Sequence, residues 1–322
     1  MQEIHIQEIE GVRIGQAENR DAATGCTVVL CPEGAAAGLD VRGGGPASRE
    51  SELLKPVAAA DRIHAVVLSG GSAFGLDAAG GVMRWLEEQG IGFDTGAARV
   101  PLVCASCLYD LTVGSCTVRP DAAMGYAACE GAARGNYQDG CFGAGTGASV
   151  GKYRGRGQAM KTGIGSYGVQ LGALKVGAVV AVNALGDVFD WKTGRQAAGL
   201  LTPEHSAFLS TEEEMYKSIQ VVRNKFVGNT TIGAVITNGS FTKTEMNKIA
   251  AMAQNGMVRA IRPVNTTADG DSLYALSVGR VEADLDVVGT LAARVVAEAI
   301  LRAVDRATGL DGLPARRDLG WA

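Results

Sequence analysis

Histidine is nearly missing from this sequence, with three in 322 residues. His5, His64 and His205 fall in neither a metal-ligand nor a triad-like spacing, so zinc hydrolysis and a Ser-His-Asp relay have no obvious residues to use. Paired Cys-x-x-C motifs are also lacking. Cys104 and Cys107 form one such pair without a second, and packing accounts for them better than a zinc or redox site. Seven cysteines, an odd number, do not make a secreted disulfide framework. A basic excess is absent too: the net charge is -4, which argues against nucleic acid or an anionic membrane as partner. No apolar run is long enough to cross a bilayer, Lys175–Leu185 included. The start, Met1–Glu10, is acidic and polar and lacks the pattern of a secretory signal, so a cytoplasmic location is the expectation.

Glycine is what the chain has in quantity, 45 residues, enough for many tight turns and close backbone contacts. Apolar, β-rich runs bounded by turn residues predict strands at Cys26–Leu30, Ala65–Ser69, Val176–Asn183, Thr231–Thr237 and Leu273–Val278. Helical stripes follow. One runs from Ser72 through Leu76, Ala79, Val82, Met83 and Leu86 and stops before Gly90; another opens on a Thr242/Glu245 capping box and continues to Ala253. A third starts near Asp284 and aligns Val288, Leu291, Val295, Ala299 and Ile300. The stretch from Thr202 to Gly228 is charged, with Glu212–Glu214, Arg223 and Lys225, and reads as an exposed helix or a tether.

Two glycine-rich stretches suggest phosphate binding without completing the pattern. Gly143–Ala148 matches G-x-G-x-x-A, but Thr146 and Tyr153 stand where a phosphate loop needs Gly and Ser or Thr. Ser69-Gly70-Gly71-Ser72 sits at a strand-to-helix junction, where a tight turn explains it more simply than an anion site. No cofactor is expected.

One catalytic strategy needs no histidine: a hydroxyl activated by the chain's own α-amine, which titrates near about 8. It requires Ser, Thr or Cys at the head of a buried strand. Thr230 answers to that description, and its attack on the Asn229 carbonyl would free the required amine. A turn leading into a strand would explain Asn229-Thr230-Thr231 equally well on spacing alone.

Longer motifs favour the catalytic reading. Leu68-Ser-Gly-Gly-Ser-Ala-Phe-Gly-Leu-Asp77, Gly143-Ala-Gly-Thr-Gly147, Gly177-Ala-Val-Val-Ala-Val-Asn183, Asn229-Thr-Thr-Ile-Gly233 and Asp269-Gly-Asp271 occur in this order. Together they resemble the L-aminopeptidase/D-esterase and β-peptidyl aminopeptidase family (DmpA-like), which shares its fold with ornithine acetyltransferases. The resemblance implies an α+β fold, a four-layer αββα sandwich. It also implies a single domain over 1–322, made as a precursor and cut into 1–229 and 230–322. Thr230 would be the nucleophile, Asn183 would donate its amide to the oxyanion, and Asp271, with Asp269 beside it, would orient the new amine. Some members carry an oxyanion-binding Tyr near Val150–Lys152, a role Lys152 would take here rather than Tyr153. The implied substrates are short peptides or amino-acid amides and esters, and the implied assembly is a homo-oligomer, a tetramer or octamer. Pocket shape is expected from loops such as Thr95–Tyr109. The alternatives are acyl transfer to a second amine and an uncut, non-catalytic small-molecule binder.

Overall fold

The computed structural model describes residues 1–219 and 228–321. Ten strands carry the architecture: β1 (Gln2–Ile4), β2 (Arg13–Asn19), β3 (Thr24–Val41), β4 (Ala47–Arg49) and β5 (Ile63–Ser69). They continue with β6 (Val103–Cys107), β7 (Ile164–Leu171), β8 (Leu174–Ala181), β9 (Ile232–Gly239) and β10 (Ser272–Val281). The helices are α1 (Ala78–Glu88), α2 (Ala122–Arg134), α3 (Thr211–Lys217), α4 (Lys243–Ala260) and α5 (Leu285–Arg306). The hydrogen-bonded order is β1-β7-β8-β9-β10-β3-β5-β6-β4, with β2 on the free edge of the first half of β3.

Strand β3 belongs to two sheets. Its first half, Cys26–Leu30, pairs with β5, and its second, Ala36–Ser277 across to Val41–Ser272, pairs with β10. The register shifts between Leu30 and Ala35, around Pro32 and Gly34, where a missing N–H and a left-handed glycine let the strand bend from one sheet into the other. The Cys26–Leu30 prediction captured only the first half.

Side chains along the strands alternate between three cores, and this is what makes four layers. On β10, Tyr274 and Leu276 face the space between the sheets, where they meet Val66 and Leu68 of β5 and Ile232 and Ile236 of β9. Leu273 and Ala275 point the other way, onto Met246, Ile249, Ala253, Val295 and Ile300 of α4 and α5. On the far side, Val28, Leu30, Ala65 and Val67 meet Val82 and Leu86 of α1 and Ala128 of α2. Because the strands are covered on both faces, they read as unbroken apolar runs rather than alternating ones. The αββα sandwich implied by the resemblance is thus the observed architecture.

Helices α1 and α2 touch backbone to backbone. A Cβ on Gly81 would lie 1.7 Å from the Ala122 carbonyl oxygen, whereas one on neighbouring Gly80 would meet nothing within 4 Å. Gly81→Ala is therefore expected to lower the unfolding free energy by about 3 kcal/mol through overpacking. Gly80→Ala should raise it by about 0.5–1 kcal/mol through helix propensity. Urea titrations of both variants check the opposite signs.

Several local expectations shift. Ser72–Asp77 is a 3-10 turn, and the α-helix begins only at Ala78. Thr95–Tyr109 is not a loop throughout: Arg99–Val100 closes a small hairpin with Phe93–Asp94, and Val103–Cys107 is a fully buried strand. Thr211–Lys217 of the charged stretch is helical, while Arg223 and Lys225 lie outside the described residues. Among the described residues, no helix is long and apolar enough to cross a membrane.

Candidate active site

Thr230 enters the structure just before β9, and β9 runs parallel to β10, so the residue preceding each strand emerges at the same end of the sheet. That end brings Thr230 beside Asp269-Gly270-Asp271. Asn183 follows β8, the other neighbour of β9, and reaches the same place. Three adjacent strands therefore deliver residues that are far apart in sequence to one point.

Thr230 is 4% exposed. Its hydroxyl donates to the carbonyl of Asn229, the peptide a self-cut would break, and its Oγ1 accepts from the Gly270 amide at 3.1 Å. Among the described residues, no basic side chain hydrogen-bonds this hydroxyl. A Cβ on Gly270 would lie 2.7 Å from Thr230 Oγ1 and 2.8 Å from the Gly45 oxygen, so glycine is what lets the two strands approach here. The Thr230 nitrogen donates to the Asn183 carbonyl at 2.8 Å.

The carboxylates hold backbone. Asp271 accepts from the Thr231 amide at 2.7 Å and from the Asn265 amide at 2.9 Å, so in the uncut chain it grips the residue after Thr230 rather than the Thr230 nitrogen. Burial, with Asp269 nearby, pushes its carboxyl up to about 7. Asp269 accepts from Leu185 N at 3.3 Å and from Thr266, by amide at 3.0 Å and hydroxyl at 2.5 Å.

Asn183 is fully buried and spoken for. Its Nδ2 donates to the Tyr109 carbonyl at 2.9 Å, and its Oδ1 accepts from Ser149 N at 3.0 Å and Lys152 Nζ at 2.8 Å. Lys152 Nζ also donates to the Asn183 carbonyl at 3.0 Å and the Gly228 carbonyl at 2.9 Å. Thr230 N and Lys152 Nζ thus share one acceptor. Burial pushes the Lys152 ammonium down to about 7, against the opposing pull of Asp269, Asp110 and Asp271.

If catalysis uses the Lys152 cation, kcat/KM has a limb that falls as pH rises through about 7. Lys152→Arg, which stays protonated, should displace that limb upward in a pH–rate profile. Stability responds in the opposite sense. The unfolded chain holds this proton up to about 10.4 and the folded chain releases it near 7, so in that window Lys152 makes the fold more stable as pH rises.

A cavity of about 160 Å³ opens over Thr230, lined by Gly45, Ala47, Ser72, Cys107, Tyr109, Gly228, Asn229, Thr230, Thr267 and Ala268. Asp110 is the member of this region that sequence reading missed. It is buried and accepts from Thr24 Oγ1 and Gly71 N, each at 2.7 Å, fixing the turn that places Ser72 and the Tyr109 carbonyl that holds Asn183. Only its place directly after Tyr109, in an apolar stretch, was there to be noticed.

The other motifs have internal uses. The amides of Gly70, Gly71 and Ser72 go to Gly25 O, Asp110 and Leu108 O, which makes this segment a turn. The Gly143–Ala148 stretch is buried, with Gly145 O and Ala148 O held by Lys161 Nζ. His5 accepts from Gln7 N, His64 from Leu102 N, and His205 bonds the Gly157 carbonyl. Cys104 and Cys107 are buried free thiols, Cys104 between the sheets and Cys107 on the cavity wall.

The pattern of peptidase family S58 matches residues 5–317. The chain belongs to peptidase family S58. It is accordingly a hydrolase of a family whose named members include aminopeptidases. A Mycobacterium leprae (strain TN) protein named an uncharacterized aminopeptidase is 38% identical, the match covering 96% of this chain and 92% of that one. A 6-aminohexanoate-oligomer endohydrolase of Kocuria sp. is 31% identical over 92% of this chain and 84% of its own. Among solved structures, the L-aminopeptidase D-Ala-esterase/amidase of Ochrobactrum anthropi, described as a variant among the Ntn hydrolase fold, superposes with a TM-score of 0.70 at 18% identity. That alignment covers 97% of this chain and 88% of the other. A Burkholderia sp. β-aminopeptidase gives a TM-score of 0.67 at 19% identity, covering 98% and 91%. These likenesses establish the shared fold.

Proposed function

We propose that this S58 peptidase cuts itself between Asn229 and Thr230 and that the freed Thr230 is the nucleophile of an aminopeptidase or amidase. The observation that carries the reading is the Thr230 hydroxyl, lodged against the carbonyl of its own preceding peptide at the wall of a cavity whose lining residues Gly228 and Tyr109 are bonded by Lys152 and Asn183, with Asp271 holding the next residue, Thr231.

In the self-cut, Thr230 Oγ bonds to the Asn229 carbonyl carbon, the peptide C–N bond breaks, and the proton ends on the Thr230 nitrogen. Water then cleaves the ester to leave an Asn229 carboxylate and a free Thr230. In turnover that amine accepts the hydroxyl proton as Oγ attacks the substrate carbonyl, and returns it to the departing amine. The neighbouring Lys152 charge would lower the amine's affinity for a proton, keeping more of it basic at neutral pH. Asn183, released from Tyr109 or using its second N–H, would stabilise the oxyanion together with the Gly270 amide. The carboxylates would hold β9 and β10 in register around the nucleophile.

Intact mass with N-terminal sequencing of the purified protein tests the first step. Two pieces, 1–229 and 230–322, are the expected result; one uncut, active chain would overturn the scheme. Acyl transfer is distinguished by supplying an amine: hydrolysis leaves the rate of acyl-donor consumption unchanged, while transfer raises it and yields a new amide.

A further inference from the structure

The turn Ser69-Gly70-Gly71-Ser72 ends in a strained residue at the cavity wall. Of the described residues that line the cavity, Ser72 alone is a non-glycine in the left-handed region, with φ at +55°. Glycine adopts that conformation freely and serine does not. The surroundings impose it. The Gly70 amide donates to Gly25 O at 2.9 Å, the Gly71 amide to the buried Asp110 carboxylate at 2.7 Å, and the Ser72 amide to Leu108 O at 2.9 Å. A Cβ on Gly70 would lie 2.1 Å from Asp110 Oδ2, and one on Gly75 would lie 1.9 Å from Gly70 O, so the turn has no slack.

All three amides are used inside the protein, so the turn has no N–H left for a ligand. What Ser72 adds to the wall is its hydroxymethyl group. A glycine at 72 would keep every one of these bonds and shed the strain, so the turn by itself does not call for serine. Strain held in this way by its surroundings gathers at functional sites. The place of the hydroxyl in turnover follows from the uncut chain, and this step rests on the Thr230 reading. There the acyl side of the bond to be broken, Gly228 and Asn229, is already seated in the wall. The other side is Thr230 itself, which runs on into β9 between β8 and β10. The leaving amine of a separate substrate cannot follow that path, and the open part of the cavity is the space it has.

We propose that Ser72 binds the leaving side of the substrate, its hydroxyl hydrogen-bonding the first amide group beyond the scissile nitrogen. The site thereby favours a leaving residue that carries an amide, as in a peptide, over a leaving group that carries none. The strained turn is the means by which Asp110 and Leu108 O fix that hydroxyl in the wall.

The test uses the purified, self-cut enzyme and two substrates with the same acyl residue: asparaginyl-glycinamide, whose leaving group carries an amide, and asparagine p-nitroanilide, whose leaving group carries none. Ser72→Gly removes the hydroxyl and relieves the backbone. It should melt no lower than the wild type, purify as the same two pieces, and lose about five- to tenfold more kcat/KM on the glycinamide than on the anilide, the size of one neutral hydrogen bond. Ser72→Ala, which keeps Cβ, should shift the ratio of the two substrates equally. A ratio unchanged from the wild type in both variants overturns the proposal. So does a Ser72→Gly chain that stays uncut, because the hydroxyl would then serve the cut and not the leaving side. If Thr230→Ala is uncut and inactive while the Ser72 ratio does not move, the nucleophile stands and the Ser72 contact falls alone. If Thr230→Ala is cut and active, the nucleophile falls and the Ser72 contact with it.

Discussion

Thr230→Ala protein is expected to remain one uncut chain of 322 residues and to hydrolyse an amino-acid p-nitroanilide at least about a thousandfold more slowly than the wild type, as losing a nucleophile does elsewhere. The reason is geometric. The Thr230 hydroxyl is held by the Gly270 amide on one side and the Asn229 carbonyl on the other, and an alanine methyl supplies neither a bond to form nor a proton to pass. The substitution removes one buried hydroxyl at a position whose backbone is fixed by the Asn183 carbonyl, so the fold should survive. Intact mass and a rate assay read the two consequences separately. A processed, active alanine variant would place both the cut and the chemistry elsewhere.

Asn183→Ala should lower kcat by about a hundredfold or more with little change in KM, the signature of a donor that acts on the developing oxyanion. The backbone carbonyl that takes Thr230 N and Lys152 Nζ survives this change; what is lost is the side-chain amide. Its removal also strands the Ser149 amide and the Tyr109 carbonyl, both of which it satisfies. Thermal melting recorded alongside steady-state kinetics separates a destabilised fold from a disabled site. Unchanged kcat would move the oxyanion donor away from Asn183.

How much of this was legible beforehand depends on what each residue does locally. The strands at β5, β8, β9 and β10 announced themselves because burial on two faces demands unbroken apolar runs. The capping box at Thr242 and Glu245 is present as read, with the Thr242 hydroxyl on Glu245 N and the Glu245 carboxylate on Thr242 N. Helix α2 was missed because it is built of Ala and Gly: it packs by backbone approach, Gly125 against the Ala78 carbonyl, and leaves no hydrophobic stripe. Strand β3 was cut short in the reading because Pro32 and Gly34 are stop signals locally, and only the two-sheet context makes them a bend. β7 was hidden by Gly165 and Gly168, which give α5 and β1 room to approach.

The site divides in the same way. Thr230 was recoverable as a hydroxyl heading an apolar strand, a local property. Asn183, Lys152, Asp269 and Asp271 entered through motif resemblance, since separations of 39 to 78 residues from Thr230 along the chain have no local mark. Asp110 entered by neither route. Its partners, Thr24 and Gly71, lie on the ends of other elements, and nothing in the sequence joins them before the sheets are assembled.

Strands β9 and β10 sit inside their sheet, with β8 along one side and β3 along the other, all contributed by residues before Thr230 except the pair itself. A chain nicked after residue 229 would therefore be interlocked. Neither fragment could diffuse away without tearing open a sheet on two borders, so dilution should not dissociate them and the nicked protein should melt as one cooperative unit. If the cut occurs, hydrolysis of the ester in water would make it a one-way step, and the shared sheet would keep the two pieces working as a single body afterwards.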